Sequence, residues 1–172
     1  MSFLSRIFGE RREREALRPL YGAVVRIARE PAWYREGGVP DTLDGRFDMV
    51  AAVLALALLR LEREGEAARR ESVLLTELFV EDMDGTLREI GIGDVVVGKH
   101  VGRIMGALGG RLGAFRQALT ADGDLDSAGR RNLFRDSPPS DDAVRFVAAA
   151  LRDLHEALQG RSFASLLAGE IR

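Results

Sequence analysis

The sequence of 172 residues contains no cysteine, which removes disulfides, thiolate metal sites, iron-sulfur clusters and cysteine nucleophiles together. Only two histidines are present, His100 and His155, far apart and without cysteines to complete a ligand set, so no metal centre is expected. The longest unbroken apolar run, Met49 to Leu59, has eleven residues. A bilayer needs about twenty, so no segment is expected to span a membrane. Charge of one sign is also missing: the formal net charge is −2, which argues against direct DNA binding. Lysine is nearly absent, Lys99 standing alone beside 24 arginines. The imbalance reads first as codon bias and not as function, since either cation serves on a solvated surface.

What is present is 46% hydrophobic and 30% charged residues, enough for one globular domain that buries about 70% of its unfolded surface. The apolar residues recur with the helical period, and no segment shows sustained strand alternation. The expected fold is all-α, a single-domain multi-helix bundle. Leu17, Leu20, Tyr21, Val24, Val25 and Ala28 share one face of a first helix stopped by Pro31. Asp41 or Thr42 caps a second helix that runs to about Glu64. Its middle is apolar on all sides, which makes it the central core helix. A third helix carries Val73, Leu74, Leu75, Leu78 and Phe79, and a charged, glycine-punctuated connection is expected over 80–94. Asp94 then caps a long glycine-rich helix to Leu119, with Val97, Val101, Ile104, Met105, Leu108, Leu112, Phe115 and Leu119 on its apolar stripe. Residues 120–142 read as a polar linker with a short helix near Ala128 to Phe134, and Ser140 caps a last helix ended by Gly160. The domain is thus divided into an amphipathic N-terminal segment (1–19), a helical core (20–119), the linker (120–142) and C-terminal helices (143–172) that pack on the core.

No catalytic constellation emerges. Gly93 to His100 has the glycine and lysine spacing of a phosphate loop, but His100 stands where that loop needs Ser or Thr, and no strand precedes it. Asp122, Asp124 and Asp126 match the first calcium-loop ligands, yet the glycine and glutamate positions hold Ser127 and Leu133. A magnesium-dependent enzyme built on Asp82 and Asp84 lacks a second carboxylate pair. The chain is read as non-enzymatic and without a cofactor.

Two features rise above background. Gly98, Gly102, Gly106 and Gly110 recur every fourth residue on the long helix, at a cost of about 0.8–1 kcal/mol each against alanine. Such a ridge either packs closely on another helix of this chain or forms a groove for a client segment. At the N-terminus, Phe3, Leu4, Ile7 and Phe8 with Arg6, Arg11 and Arg12 form a short amphipathic segment, suited to its own bundle, a membrane surface or a partner helix. It is read as part of the mature chain, because Glu10, Glu13 and Glu15 follow at once.

The motifs Leu20-Tyr21 with Arg29 and Tyr34, Val39-Pro40-Asp41-Thr42, Gly45-Arg46-Phe47-Asp48, Phe79 with Asp82-Met83-Asp84, Leu87-Arg88-Glu89, Gly91-x-Gly93-Asp94, Val97-Gly98-Lys99 and Gly110-Arg111 occur in this order. Together, over about Leu20 to Leu119, they resemble the ubiquinol-cytochrome c chaperone family. The resemblance implies a non-enzymatic assembly chaperone for ubiquinol-cytochrome c reductase, respiratory complex III. Its implied partners are newly made cytochrome b or an assembly intermediate, with a partner assembly factor, the ribosome and peripheral membrane contact as further expectations. The implied location is a bacterial cytoplasm, at the inner membrane's cytoplasmic face, ahead of a mitochondrial matrix. Asp82, Asp84, Arg88, Glu89, Lys99, Gly102 and Gly106 are the candidate partner-binding residues. Asp41, Arg46, Asp48 and Asp94 are the structural ones, Asp41 and Asp94 as caps and Arg46 with Asp48 as a buried pair. A generic helical adaptor of a soluble partner is the alternative.

Overall fold

A computed structural model describes residues 12–89, 97–134 and 139–172, the side chains of 87–89 and 97–100 excepted. Asp94 lies outside the described residues, and so do the side chains of Arg88, Glu89 and Lys99. Among the described residues the chain is all-α with no strand. The helices are α1 (Arg18–Ala28), α2 (Ala32–Arg35), α3 (Leu43–Glu62), α4 (Arg69–Glu89), α5 (Val97–Ala118), α6 (Leu125–Leu133), α7 (Asp141–Gln159) and α8 (Phe163–Leu167), with a 3₁₀ turn at Gly65–Ala68 before α4.

Helix α3 is the axis of the bundle and packs against α1, α4, α5, α6 and α7. Every residue from Asp48 to Leu61 is buried, as its all-round apolar sequence requires. Thr42 caps it, its Oγ1 accepting from the Gly45 amide at 3.1 Å. Asp41, expected as a cap, instead accepts from Arg46 Nε at 2.6 Å. The chain turns so tightly into α3 that a Cβ on Gly45 would stand 1.9 Å from the Pro40 carbonyl oxygen. Gly45→Ala should therefore destabilise the fold by at least about 1 kcal/mol despite the better helix propensity of alanine. Urea unfolding checks this; an unchanged midpoint would show that the turn is looser than described.

Two aromatic residues close the end of α1. Trp33 Nε1 donates to the Ile27 carbonyl at 2.7 Å, and Tyr34 Oη donates to the Ala28 carbonyl at 2.8 Å, filling acceptors that a helix C-terminus leaves open. Residues 120–142 hold α6, capped by Asp124, which accepts from the Ser127 amide at 2.9 Å. Leu125, Ala128, Leu133 and Phe134 put this helix into the common core. The C-terminal helices join that core through Val144, Val147, Leu151, Leu154, Leu158 and Leu166. Buried Arg60 of α3 clamps them, donating to the carbonyls of Leu158 at 3.1 Å and Arg161 at 2.7 Å.

The connection expected over 80–94 is helical as far as Glu89. Leu75, Phe79 and Met83 extend the buried stripe at steps of four, so the charges between them occupy the outer side of one continuous helix. Gly85 is tolerated inside it, with open space around its Cβ position.

Candidate functional site

Three places stand out: Asp48 lies in the first and Asp82 in the second, while the third, an open cleft, is lined by none of the candidate partner-binding residues. The first is buried. Asp48 on α3 is 0% exposed and pairs with Arg111 on α5. The Arg111 guanidinium also donates to the carbonyls of Ala107 at 3.0 Å and Asn132 at 2.9 Å. Its carbon lies 5.9 Å from the Phe47 ring centroid, and Phe47 in turn stacks on Phe79 of α4, centroids 5.7 Å apart. Four helices thus meet on one ion pair, each of its charges held by a partner. The expected Arg46–Asp48 pair does not form. Residues two apart on a helix face opposite ways, and Arg46 points outward to Asp41. In the sequence Arg111 stands in the Gly110-Arg111 motif, with no role assigned to it. The available signal was its place on the buried stripe, three residues after Leu108 and four before Phe115, where an apolar side chain is the rule.

The second place joins α1 to α4. Tyr21 Oη donates to Asp82 Oδ2 at 2.7 Å, and burial, then the Asp82 bond, raise the phenol's pKa far above its ordinary value. Asp82 thus spends a carboxylate oxygen inside the molecule. Asp84, two residues on and so turned to another side of α4, is half-buried. Tyr21→Phe should cost about 1.5 kcal/mol, the worth of a hydrogen bond to a charged acceptor, read from urea unfolding; no loss would mean that Asp82 is solvated instead.

The third place is open. Between α4 and α5, floored by Leu58 of α3, lies a cleft of about 630 Å³. Its walls are apolar: Val73, Val80, Val101, Met105 and Leu112, with Val73 48% and Met105 43% exposed. Its rim carries Glu62, Glu77 and Glu81, the last two bridged by Arg14. The α5 stripe is therefore split. Ile104, Leu108, Arg111 and Phe115 face the core, while Val101, Met105 and Leu112 face the cleft. Beyond Met105, about 40° and 60° further round the helix, come Gly109 and Gly102. Gly102, Gly106, Gly109, Gly110 and Gly113 are exposed, and a Cβ at any of them would meet nothing within 4 Å. Internal close packing is thus not what these glycines serve among the described residues.

His155 lies away from these places on α7, and burial first, then Arg63, lower its pKa below the ordinary 6.5. The folded state then binds fewer protons than the unfolded one, so stability should fall as the pH drops below about 6.5. His155→Gln should flatten that slope in urea unfolding series; an unchanged slope would assign it to other groups. Among the described residues no group of His, Asp and Glu could hold a metal ion, and no helix is long and apolar enough to cross a membrane.

The fold is similar to the crystal structure of the Cbp3 homolog from Brucella abortus, with a TM-score of 0.80 and 30% identity over 98% of this chain and 94% of that one. Comparison with curated proteins gives no match. The ubiquinol-cytochrome C chaperone model matches residues 35–172. That stretch leaves out Leu20, Tyr21, Arg29 and Tyr34 and takes in the C-terminal helices, so the kinship reaches well past Leu119. Because the match spans the buried Asp48–Arg111 pair, the cleft between α4 and α5 and the helices that close the core, the chain belongs to the ubiquinol-cytochrome C chaperone family.

Proposed function

We propose that the protein is a non-enzymatic assembly chaperone for ubiquinol-cytochrome c reductase, respiratory complex III, and that it holds an apolar helix of newly made cytochrome b in the cleft between α4 and α5. The observation that carries this reading is the cleft itself, an apolar trough with Val73 and Met105 uncovered. A membrane helix outside lipid needs such a surface, and helices of this kind pack where small residues let backbones approach. The bare glycine face of α5 beside Met105 offers that approach.

The proposal places the protein in the cytoplasm, peripheral on the inner membrane, where the client is inserted. Contact with the ribosome or a second assembly factor belongs to the same proposal. Deleting the gene should lower assembled complex III and its haem b, with other respiratory complexes unaffected and the defect repaired by the intact gene. Normal complex III in the deletion strain would overturn the proposal and favour the adaptor reading.

A further inference from the structure

A second cleft, of about 450 Å³, lies at the opposite chemical extreme. Three arginines from three elements converge on it: Arg29 at the C-terminal cap of α1, Arg35 on α2 and Arg46 in the first turn of α3. Pro31 and Tyr34 form its wall, and Asp41 is its one carboxylate. The Tyr34 ring is fixed there by its hydroxyl bond to the Ala28 carbonyl. Asp41 is committed to Arg46 through Nε, 2.6 Å away, while Arg29 and Arg35 have no carboxylate partner among the described residues. A rigid wall with two unspent guanidinium groups, and a third tethered by one edge, matches a single tetrahedral anion, for which the planar arginine fork is suited.

We propose that this cleft binds the phosphate of an acidic phospholipid headgroup and so seats the protein on a membrane surface. Nucleic acid is disfavoured by the same geometry, since it needs basic groups strung along a backbone and a chain that is not net acidic. The membrane source has a second, sequence-level support. The segment bearing Phe3, Leu4, Ile7 and Phe8 is amphipathic but short, and stable peripheral binding takes two signals, an apolar one and a basic one. The arginine cleft supplies the basic one. The inference rests on the peripheral membrane placement proposed above, while the complex III role is tested separately by the gene deletion.

The test uses the full chain with vesicles of phosphatidylcholine, with and without phosphatidylglycerol, in co-flotation. The wild type should bind only the vesicles containing phosphatidylglycerol. Arg29→Ala/Arg35→Ala should weaken that binding about twenty-fold, whereas the charge-matched Arg131→Ala/Arg152→Ala on α6 and α7 should leave it nearly intact. Circular dichroism confirms that both variants fold. Equal losses in both pairs, or binding indifferent to either, would overturn the proposal. In a parallel arm inorganic phosphate and RNA are titrated against the wild type and the Arg29/Arg35 variant. A response to either that depends on these arginines, with vesicle binding unchanged in the variant, would assign the cleft to free phosphate or to RNA and overturn the membrane source.

Discussion

Arg111→Met should lower the unfolding free energy by about 3–5 kcal/mol, the cost of leaving a buried charge without its partner. Asp48 has no exposed surface from which to recover water, and the Asn132 carbonyl loses a donor in the same substitution, while the Ala107 carbonyl keeps its helix bond from the residue-111 amide. The Asn132 carbonyl adds to the loss, because unmade bonds of buried groups cost more than made ones contribute. The stacking of Phe47 under the guanidinium also disappears. Replacing both partners, as Asp48→Leu/Arg111→Met, should recover most of the stability, since an apolar pair of similar volume removes the desolvation penalty of both charges. Urea unfolding of the wild type, both single variants and the double variant closes the cycle. Additive losses would mean that the pair is not coupled, and the meeting of α3, α4, α5 and α6 would then rest on apolar packing alone.

The second large effect separates stability from function. Gly102→Ala/Gly106→Ala/Gly109→Ala should stabilise the protein by about 2–3 kcal/mol, because each alanine restores helix propensity and none of the added Cβ atoms meets a described neighbour. A midpoint of thermal unfolding raised by several degrees is the expected reading. The same variant should support less complex III assembly, since three methyl groups would hold a client backbone away from α5. A protein that is both more stable and fully active would show that no partner approaches this face.

Helix period and capping residues made the all-α class, a central helix from about 42 to 64 and the Ser140 cap readable, because each depends on residues close in sequence, whereas the choice of Thr42 over Asp41 as cap did not follow from them. The misplaced features have one physical cause: their partners are distant. Arg111 meets Asp48 across 63 positions, so nothing beside it announces a buried cation. The 80–89 stretch looked like a connection because Glu81, Asp82, Asp84 and Gly85 dominate it, while the residues that keep it helical, Phe79 and Met83, are few and spaced four apart. The short helix expected near Ala128 to Phe134 is present as α6, but it starts earlier, and its place in the core through Leu125, Ala128 and Leu133 is hidden among Asp126, Arg130 and Arg131. The glycine repeat was visible, but whether a neighbour lay against it depended on the whole bundle. The cleft was not visible at all: Val73 on α4 and Met105 on α5 each read as core residues, and only the packing of both helices on α3 leaves them facing an open trough.

The most direct test of the central claim is photo-crosslinking in cells that are making complex III. A photoreactive residue at Met105, inside the cleft, is compared with one at Arg152, on α7. Capture of newly made cytochrome b from position 105 and not from position 152 is the expected result. No cytochrome b from position 105, or equal capture from both positions, would contradict a client seated between α4 and α5.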